Sequence, residues 1–184
     1  MQRRTLLRNA GIAAGVAALA GFGMGLAAGK TEKPEDLPVA RRLPSDLCER
    51  LGDVSVLFPE KVELKQTGVA EVRCSAEVEE DSQPTHTRAS LTVTVQTFAA
   101  KKGSTADDVA RADYDHEPWQ AVQNRPYPTK INADPQGEDV WDISVLTTRG
   151  DLVVQVEYAA APVIRDAAQA AVLAIADKAV WEAK

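Results

Sequence analysis

The densest group of side chains that could do chemistry lies in residues 113–117, which read Asp-Tyr-Asp-His-Glu. Their carboxylates and imidazole are groups that bind divalent cations. Calcium needs many oxygen ligands around a tight backbone turn, and the Asp-x-Asp-x-Asp-Gly pattern of such loops is not completed here. The sequence therefore predicts a negatively charged connection between helices and no metal site.

Three aromatic residues in the same region, Tyr114, Trp119 and Tyr127, are candidate ligand-binding residues. They lie near a Gln-Asn-Arg run at residues 123–125, in a chain that is only 5% aromatic. Aromatic rings beside such polar groups could stack on a sugar ring or grip a peptide. The alternative is structural, with Trp119 filling the gap between a short helix and the sheet, and this is the favoured interpretation.

Motifs of the common enzyme classes are missing from the sequence. It has no G-x-S-x-G, S-x-x-K, P-loop, dinucleotide fingerprint or H-E-x-x-H pattern. The two histidines, His86 and His116, restrict general-base and zinc chemistry, and His86 is expected in a solvated turn. We predict no catalytic residue and no cofactor.

The two cysteines, Cys48 and Cys74, are predicted to form a disulfide. Cys48 falls in a short helical pattern and Cys74 on the apolar face of a strand, so the bond would join helix to sheet. In the chain-entropy model it is worth roughly 3 to 4 kcal/mol. A metal pair or a nucleophile is the alternative, but neither cysteine has a CxxC partner or a nearby histidine.

The amino-terminal segment, residues 1–29, is predicted to be a twin-arginine-like signal peptide or a transmembrane anchor. Arg3, Arg4 and Arg8 precede an uncharged, Ala- and Gly-rich run over residues 9–29. That run is long enough to cross a bilayer but only mildly hydrophobic, so removal and retention stay open. In either case the arginines favour the cytoplasmic side, which places the rest of the chain outside. Residues 30–43 are predicted to be an extended linker and residues 44–184 an extracytoplasmic domain.

The charge balance excludes one class of partner. Without residues 1–29 the chain has 18 Lys plus Arg against 27 Asp plus Glu, a net charge of −9. Such an acidic domain repels nucleic acid and anionic lipid surfaces alike. We predict no nucleic-acid binding, and contact with the membrane only through the amino-terminal segment.

The elements that position these residues indicate an α+β fold. We predict a curved antiparallel sheet of about four to six strands, covered on one face by a short amino-terminal helix, a middle helix and a long carboxy-terminal helix. Alternating patterns at residues 70–79 and 89–95 predict an antiparallel pair joined by a polar turn over residues 80–87. A second hairpin is predicted at residues 141–158, turning at Arg149-Gly150-Asp151.

The helices and the remaining connections follow from local signals. Two overlapping Ser/Thr-x-x-Asp boxes at residues 104–108 predict a helix that runs to about Ala112, followed by a short turn near residues 119–123. Residues 127–131 are expected to be extended and residues 132–137 to form a turn. After Pro162 about 20 residues of helix are predicted, with an apolar stripe formed by Ile164, Ala168, Ala171, Val172, Ile175 and Ala179.

Several short motifs carry a resemblance to a known family. They are Leu-Pro-Ser-Asp-Leu-Cys at residues 43–48, a second Cys in a strand, Gly-Glu-Asp-Val-Trp at 137–141, Arg-Gly-Asp-Leu-Val-Val at 149–154 and the Ala-rich terminal helix. Over roughly residues 44–184 the chain resembles the uncharacterised exported proteins and lipoproteins of actinomycetes that have a paired-Cys α+β domain. It departs from them in lacking the lipid-bearing cysteine. The resemblance implies a cell-envelope location and no particular reaction.

The sequence thus favours a non-enzymatic binding or structural module of the cell envelope, whose partner is an envelope protein or a wall component. The alternative is an extracytoplasmic hydrolase with a carboxylate-based site. A pair of acidic side chains in a deep cleft, one with a raised pKa, would favour the hydrolase. A shallow apolar groove would favour binding.

Overall fold

The computed structural model describes residues 39–58, 61–68, 71–82 and 85–183, which contain three α-helices and one sheet of seven strands. The predicted export segment and residues 30–38 of the predicted linker lie outside the described residues. In chain order the elements are α1 (Leu47–Leu51), a 3-10 helix (Ser55–Leu57), β1 (Lys65–Thr67), β2 (Glu71–Ser82), β3 (Thr85–Thr97), α2 (Ala106–His116), β4 (Gln120–Ala121), β5 (Thr129–Gly137), β6 (Val140–Arg149), β7 (Leu152–Ala161) and α3 (Arg165–Glu182).

The sheet is antiparallel throughout, in the order β1-β2-β3-β7-β6-β5-β4. This confirms the α+β class, the pairing of β2 with β3 and the β6–β7 hairpin, in which Arg149 pairs with Leu152. The turn between those two residues contains Gly150 at φ +59°, a conformation that glycine adopts without steric cost. The predicted number of four to six strands is wrong, because the sheet has seven.

The additional strands lie toward the edges of the sheet. β1 and β4 are three and two residues long, too short to show an alternating pattern. Residues 132–137, predicted as a turn, continue β5, and the chain reverses after Gly137 instead. Pro135 is tolerated because β4 pairs only with Lys130 and Ile131, so no neighbouring strand requires its missing N–H at that edge.

Two predicted loops are shorter than expected because neighbouring elements extend into them. β2 runs to Ser82 and β3 begins at Thr85, so the backbone of His86 lies in a strand and not in a turn. α2 continues past Ala112 to His116, which places most of the acidic group at residues 113–117 on a helix. Residues 119–123 contain strand β4 and no helical turn.

The main core lies between the sheet and helices α1 and α3. α3 contacts β6 and β7, and α1 contacts α3 and β2. Of the predicted stripe on α3, Ala168, Val172 and Ala179 are buried. Ile164 is instead 78% exposed, because it precedes the first residue of the helix.

Helix α2 packs on the opposite face of the sheet, which corrects the prediction that one face carries all the helices. Val153 of β7 and Leu146 of β6 point away from the main core, since neighbouring strand residues face opposite sides. They form a small second cluster with Ala110 and Tyr114 of α2. The start of α2 is as predicted: Thr105 and Asp108 form a capping box.

The predicted disulfide is present between Cys48 and Cys74, across a sequence separation of 26 residues. Both cysteines are buried, at 3% and 0% exposure. The bond joins α1 to β2, the second strand from one edge of the sheet. Among the described residues no helix is both long enough and apolar enough to cross a membrane.

The segment that contains Arg41 packs against the end of the sheet where the β6–β7 turn lies. Arg41 Nε donates to Asp151 at 3.0 Å, and the Arg41 guanidinium also donates to the carbonyl of Ala183, just after α3. The Thr97 hydroxyl donates to the carbonyl of Arg41 at 2.8 Å. Arg41 belongs to the predicted linker, and these bonds attach it to the domain.

Candidate functional site

An apolar groove lies at the opposite end of the sheet from Arg41, between the 3-10 helix and the start of α3. Residues 56–58 form one wall and residues 162–164, 167 and 168 the other. Ala89, Tyr158 and Ala160 of the sheet lie between them, and Arg88 is also part of the lining. The cavity volume is about 350 Å³, and the groove is open to solvent.

The rim of this groove exposes large aliphatic side chains. Val56 is 81% exposed and Ile164 is 78% exposed. They are two of the four large hydrophobic residues that are exposed in the described part of the chain. Scattered single hydrophobic residues are normal on a protein surface, whereas two that border one apolar cavity make that cavity a candidate interaction site.

Hydrogen bonds hold the 3-10 helix in the position that exposes Val56. The Tyr158 hydroxyl donates to the carbonyl of Leu57 at 2.7 Å, and the backbone N–H of Ser55 donates to Asp53 at 2.8 Å. Burial raises the pKa of Tyr158 to about 12. The adjacent Ser55 side chain and the backbone N–H of Ser55 lower the pKa of Asp53. With Leu57 fixed inward, Val56 faces the solvent.

Arg88 is the one charged residue of the groove lining. Its backbone pairs with Ala161, beside the start of the α3 wall. The Arg88 side chain makes no hydrogen bond, ion pair or ring contact with a described residue. Arg88 also lines a second cavity, which contains Glu77 and Asp142 on the open face of the sheet.

The candidate residues Tyr114, which belongs to α2, and Trp119 lie together between α2 and the sheet. Tyr114 is 4% exposed, and Trp119 packs against the same small cluster. Lys130 Nζ lies 4.5 Å from the centre of the Tyr114 ring and donates to the carbonyls of Tyr114 and Glu117. Burial raises the pKa of Tyr114. Its ring is thus already covered by protein groups.

Tyr127, the third candidate, packs against the main core and does not join the other two. The Arg149 guanidinium lies 5.2 Å from the centre of its ring. Arg125, expected beside these aromatics, instead forms an ion pair with Asp177 and donates to the carbonyl of Leu173 at 3.0 Å. The structure therefore does not assemble the predicted aromatic and polar group into one site.

Three cavities of the described structure contain two acids each, as a hydrolase would need. One lies beside Gly150 and contains Asp107 and Asp108, but the hydroxyl and backbone N–H of Thr105 bind Asp108 and lower its pKa. A second contains Glu63 and Glu77 together with Lys65. The third contains Glu77 of β2 and Asp142 of β6 on the open face of the sheet. β2 and β6 are three strand spacings apart, about 14 Å between backbones.

The described carboxyl with a raised pKa is that of Asp177, which lies outside the acidic cavities. Burial raises the pKa of Asp177, against the opposing effect of its partner Arg125. A general acid needs a raised pKa and access to substrate, and none of the three acidic cavities includes Asp177. Among the described residues no group of three or more His, Cys, Asp or Glu side chains is placed to hold a metal ion. In the described part of the chain, the carboxyl with the raised pKa is therefore not among those that line the acidic cavities.

Sequence reasoning missed the groove because its lining comes from separate segments that meet only in the folded domain. Leu57, Phe58, Ala89 and Ala160 each have the pattern of ordinary core residues. In the sequence, the groove was indicated by Ile164, an aliphatic residue that lies between Pro162 and the charged first turn of a helix.

Comparisons of this chain with family models, with curated proteins and with solved structures find no match.

Proposed function

We propose that this protein is a non-enzymatic binding module of the cell envelope, which holds an apolar ligand in the groove between the 3-10 helix and the start of α3. One observation carries the proposal: a cavity of about 350 Å³ whose lining is apolar except for Arg88 and whose rim exposes Val56 and Ile164. Removing apolar surface from water supplies the binding energy, about 0.8 kcal/mol for each buried methylene group.

The location outside the cytoplasm is part of the same proposal. Arg3, Arg4 and Arg8 before an uncharged run support export, with the segment either removed or kept as a membrane anchor. The disulfide supports it further, because such bonds persist in oxidising compartments and are rare in the cytosol. The resemblance to exported actinomycete proteins has the same implication. An envelope protein or a wall component with an apolar part is the ligand class that fits this location.

A groove-filling substitution tests the binding proposal. Ala167 lines the groove on the exposed side of α3, so Ala167→Phe fills the cavity without placing a larger side chain in the core. We expect the wild type to bind the apolar fluorescent probe N-phenylnaphthylamine and Ala167→Phe to bind it about tenfold more weakly, a loss of about 1.4 kcal/mol.

Ala174→Phe is the matched control, since Ala174 is exposed on the same helix and does not line the groove. It should bind the probe as the wild type does. Equal binding by all three proteins would show that the probe sits elsewhere, and an absence of binding by the wild type would refute the proposal.

A further inference from the structure

We propose that a polar cavity at the β4–β5 edge of the sheet binds a neutral saccharide through its hydroxyl groups. This edge cavity is lined by residues 118–120 and 131–133 and by Arg165 and Gln169 of α3. Its volume of about 470 Å³ lies within the range of small-molecule sites. It shares no lining residue with the apolar groove, so the inference goes beyond the proposed function and does not depend on it.

Part of the wall of the edge cavity is an open strand edge. β4 pairs with β5 only at Lys130 and Ile131. The backbone N–H of Val122 donates to the carbonyl of Thr129 at 2.9 Å, so the backbone groups of Thr129 face the β4 side of β5. Because these groups alternate between the two sides of a strand, those of Ala133 face the same side. The N–H and C=O of Ala133 therefore border the cavity, and there they pair with no described residue.

Unpaired polar side chains reach the edge cavity from both faces of the sheet. Gln120 is opposite Ile131, a core residue, so its side chain lies on the same face as Gln169 of α3. Trp119 contacts the second cluster, on the face that carries α2. Neither carboxamide bonds to a described residue, and the same is true of the indole N–H. These groups are available to a ligand.

The available groups match a ligand that carries several hydroxyls. A carboxamide has two N–H donors and a carbonyl acceptor, whereas a hydroxyl has one donor and two acceptor lone pairs. The backbone of Ala133 adds one donor and one acceptor to those of Gln120 and Gln169. The ring of Trp119 gives an apolar surface for the C–H groups of a sugar ring. A saccharide supplies both kinds of contact, whereas an aliphatic chain would displace water from the carboxamides without replacing its hydrogen bonds.

The charges of the edge cavity favour a neutral ligand. Among the described residues its lining contains no Asp, Glu, His or Cys, the side chains that bind cations. Arg165 is the one charged residue of that lining, and its guanidinium lies 5.0 Å from the centre of the Trp141 ring. A single cation in a chain of net charge −6 gives little attraction for a phosphorylated ligand.

The open edge of β5 is poorly suited to an added peptide strand. Strand addition uses a row of backbone N–H and C=O groups. After Ala133 the next residue that faces outward is Pro135, which has no N–H, and a bulge follows between Pro135 and Gly137. Prolines and bulges at a sheet edge prevent pairing with another chain. The edge therefore favours a ligand with separate hydrogen-bonding groups over a strand.

Titration of the isotope-labelled full chain with maltotriose and with chitotriose, followed by NMR, tests the inference. We expect at least one of the two saccharides to cause saturable shifts of the side-chain amide signals of Gln120 and Gln169 and of the backbone amide signal of Ala133. Gln120→Leu with Gln169→Leu should weaken this binding about tenfold, measured at Ala133, because both carboxamides donate and accept hydrogen bonds in the complex.

Two control variants accompany this test. Gln136→Leu replaces an exposed glutamine of β5 that does not line the edge cavity. Ala167→Phe fills the apolar groove. Both should bind the saccharide as the wild type does, since neither changes the edge cavity.

No saturable shift with either saccharide, or shifts centred away from Gln120, Gln169 and Ala133, would overturn the inference. An equal loss of affinity in Gln136→Leu would also refute it. Saturable shifts at Ala133 with a Thr-Val-Thr-Val-Thr peptide, and none with the saccharides, would assign the edge to strand addition instead. The groove is tested separately, by the binding of N-phenylnaphthylamine to the wild type and to Ala167→Phe, so failure of one proposal leaves the other intact.

Discussion

Tyr158 is the residue that connects the core to the proposed groove. It is 4% exposed, belongs to the main core and lines the cavity. Its hydroxyl is satisfied by the Leu57 carbonyl, so one side chain both fills the interior and fixes the 3-10 helix. Removing the hydroxyl would leave a buried carbonyl without its partner, which costs about 1 to 3 kcal/mol.

The pKa of Tyr158 gives a prediction about stability in alkali. In the folded chain the pKa is raised to about 12, above the ordinary value of 10.0, because burial disfavours the charged phenolate. The folded state therefore keeps a proton that the unfolded state loses. The stabilisation is complete below the unfolded pKa and is lost as the pH rises through the folded value. Between pH 10 and about 12 we expect the free energy of unfolding to fall by about 2 to 3 kcal/mol from this residue.

Urea unfolding of Tyr158→Phe across that pH interval checks the assignment. The variant should be less stable than the wild type at neutral pH, and the difference between them should shrink as the pH rises. Parallel curves for the two proteins would show that Tyr158 is not the responsible group.

At the scale of elements, the disulfide between α1 and β2 holds the short first helix in place. α1 has only five residues, too few to be stable alone, and depends on its contacts with β2 and α3. Closing a loop of 26 residues is worth about 3.5 kcal/mol in the chain-entropy model. We expect Cys48→Ala with Cys74→Ala to lower the free energy of unfolding by about this amount.

Urea unfolding of the double variant, compared with the reduced wild type, measures this effect. The two should agree, since both lack the bond while the rest of the chain is the same. A loss smaller than about 1 kcal/mol in both would mean that packing alone holds α1 on the sheet.

The elements that were predictable are those with local signals. The capping box at Thr105 and Asp108, the alternation in β2, β3, β6 and β7, and the turn at Gly150 are each contained in a few neighbouring residues. β4 has two residues and becomes a strand only by pairing with β5, so no local pattern could indicate it. Residues 132–137 have turn-forming types, yet pairing with β6 makes them a strand.

The candidate site was less predictable than the fold. The disulfide was predictable from the two cysteines and the expected oxidising compartment. The groove was not predictable, because it combines residues from the 3-10 helix, β3, β7 and α3. Tyr114 and Trp119 were candidates because aromatic residues are rare in this chain. In the structure they pack between α2 and the sheet and stabilise the position of the helix. Composition indicates which side chains are unusual, whereas only the tertiary fold determines which of them face a cavity.

For the molecule as a whole, the proposed location predicts the fate of a carboxy-terminally tagged protein in fractionated cells. We expect either a species beginning near Lys30 in the medium or wall fraction, or the full-length chain in the membrane fraction with its tag open to external protease. Arg3→Lys with Arg4→Lys should retain the protein inside, because the paired arginines are the signal that a twin-arginine route reads.

Arg8→Lys, which leaves the pair intact, serves as the control and should be exported normally. A wild-type protein that stays in the cytoplasm with its tag protected would be incompatible with an envelope role. Export that is unaffected by the paired substitution would point to a different route and leave the location unchanged.

The most direct test of the binding claim is amide chemical-shift mapping of residues 39–183 in the full chain during titration with N-phenylnaphthylamine. Amide signals of Leu57, Ala89, Ala160 and Ala167 should move, because these residues line the groove. The amide signals of Ala110 and Leu146, which belong to the second cluster between α2 and the sheet, should not shift. Shifts centred on the second cluster, or no saturable shifts at all, would contradict the assignment of the groove as the binding site.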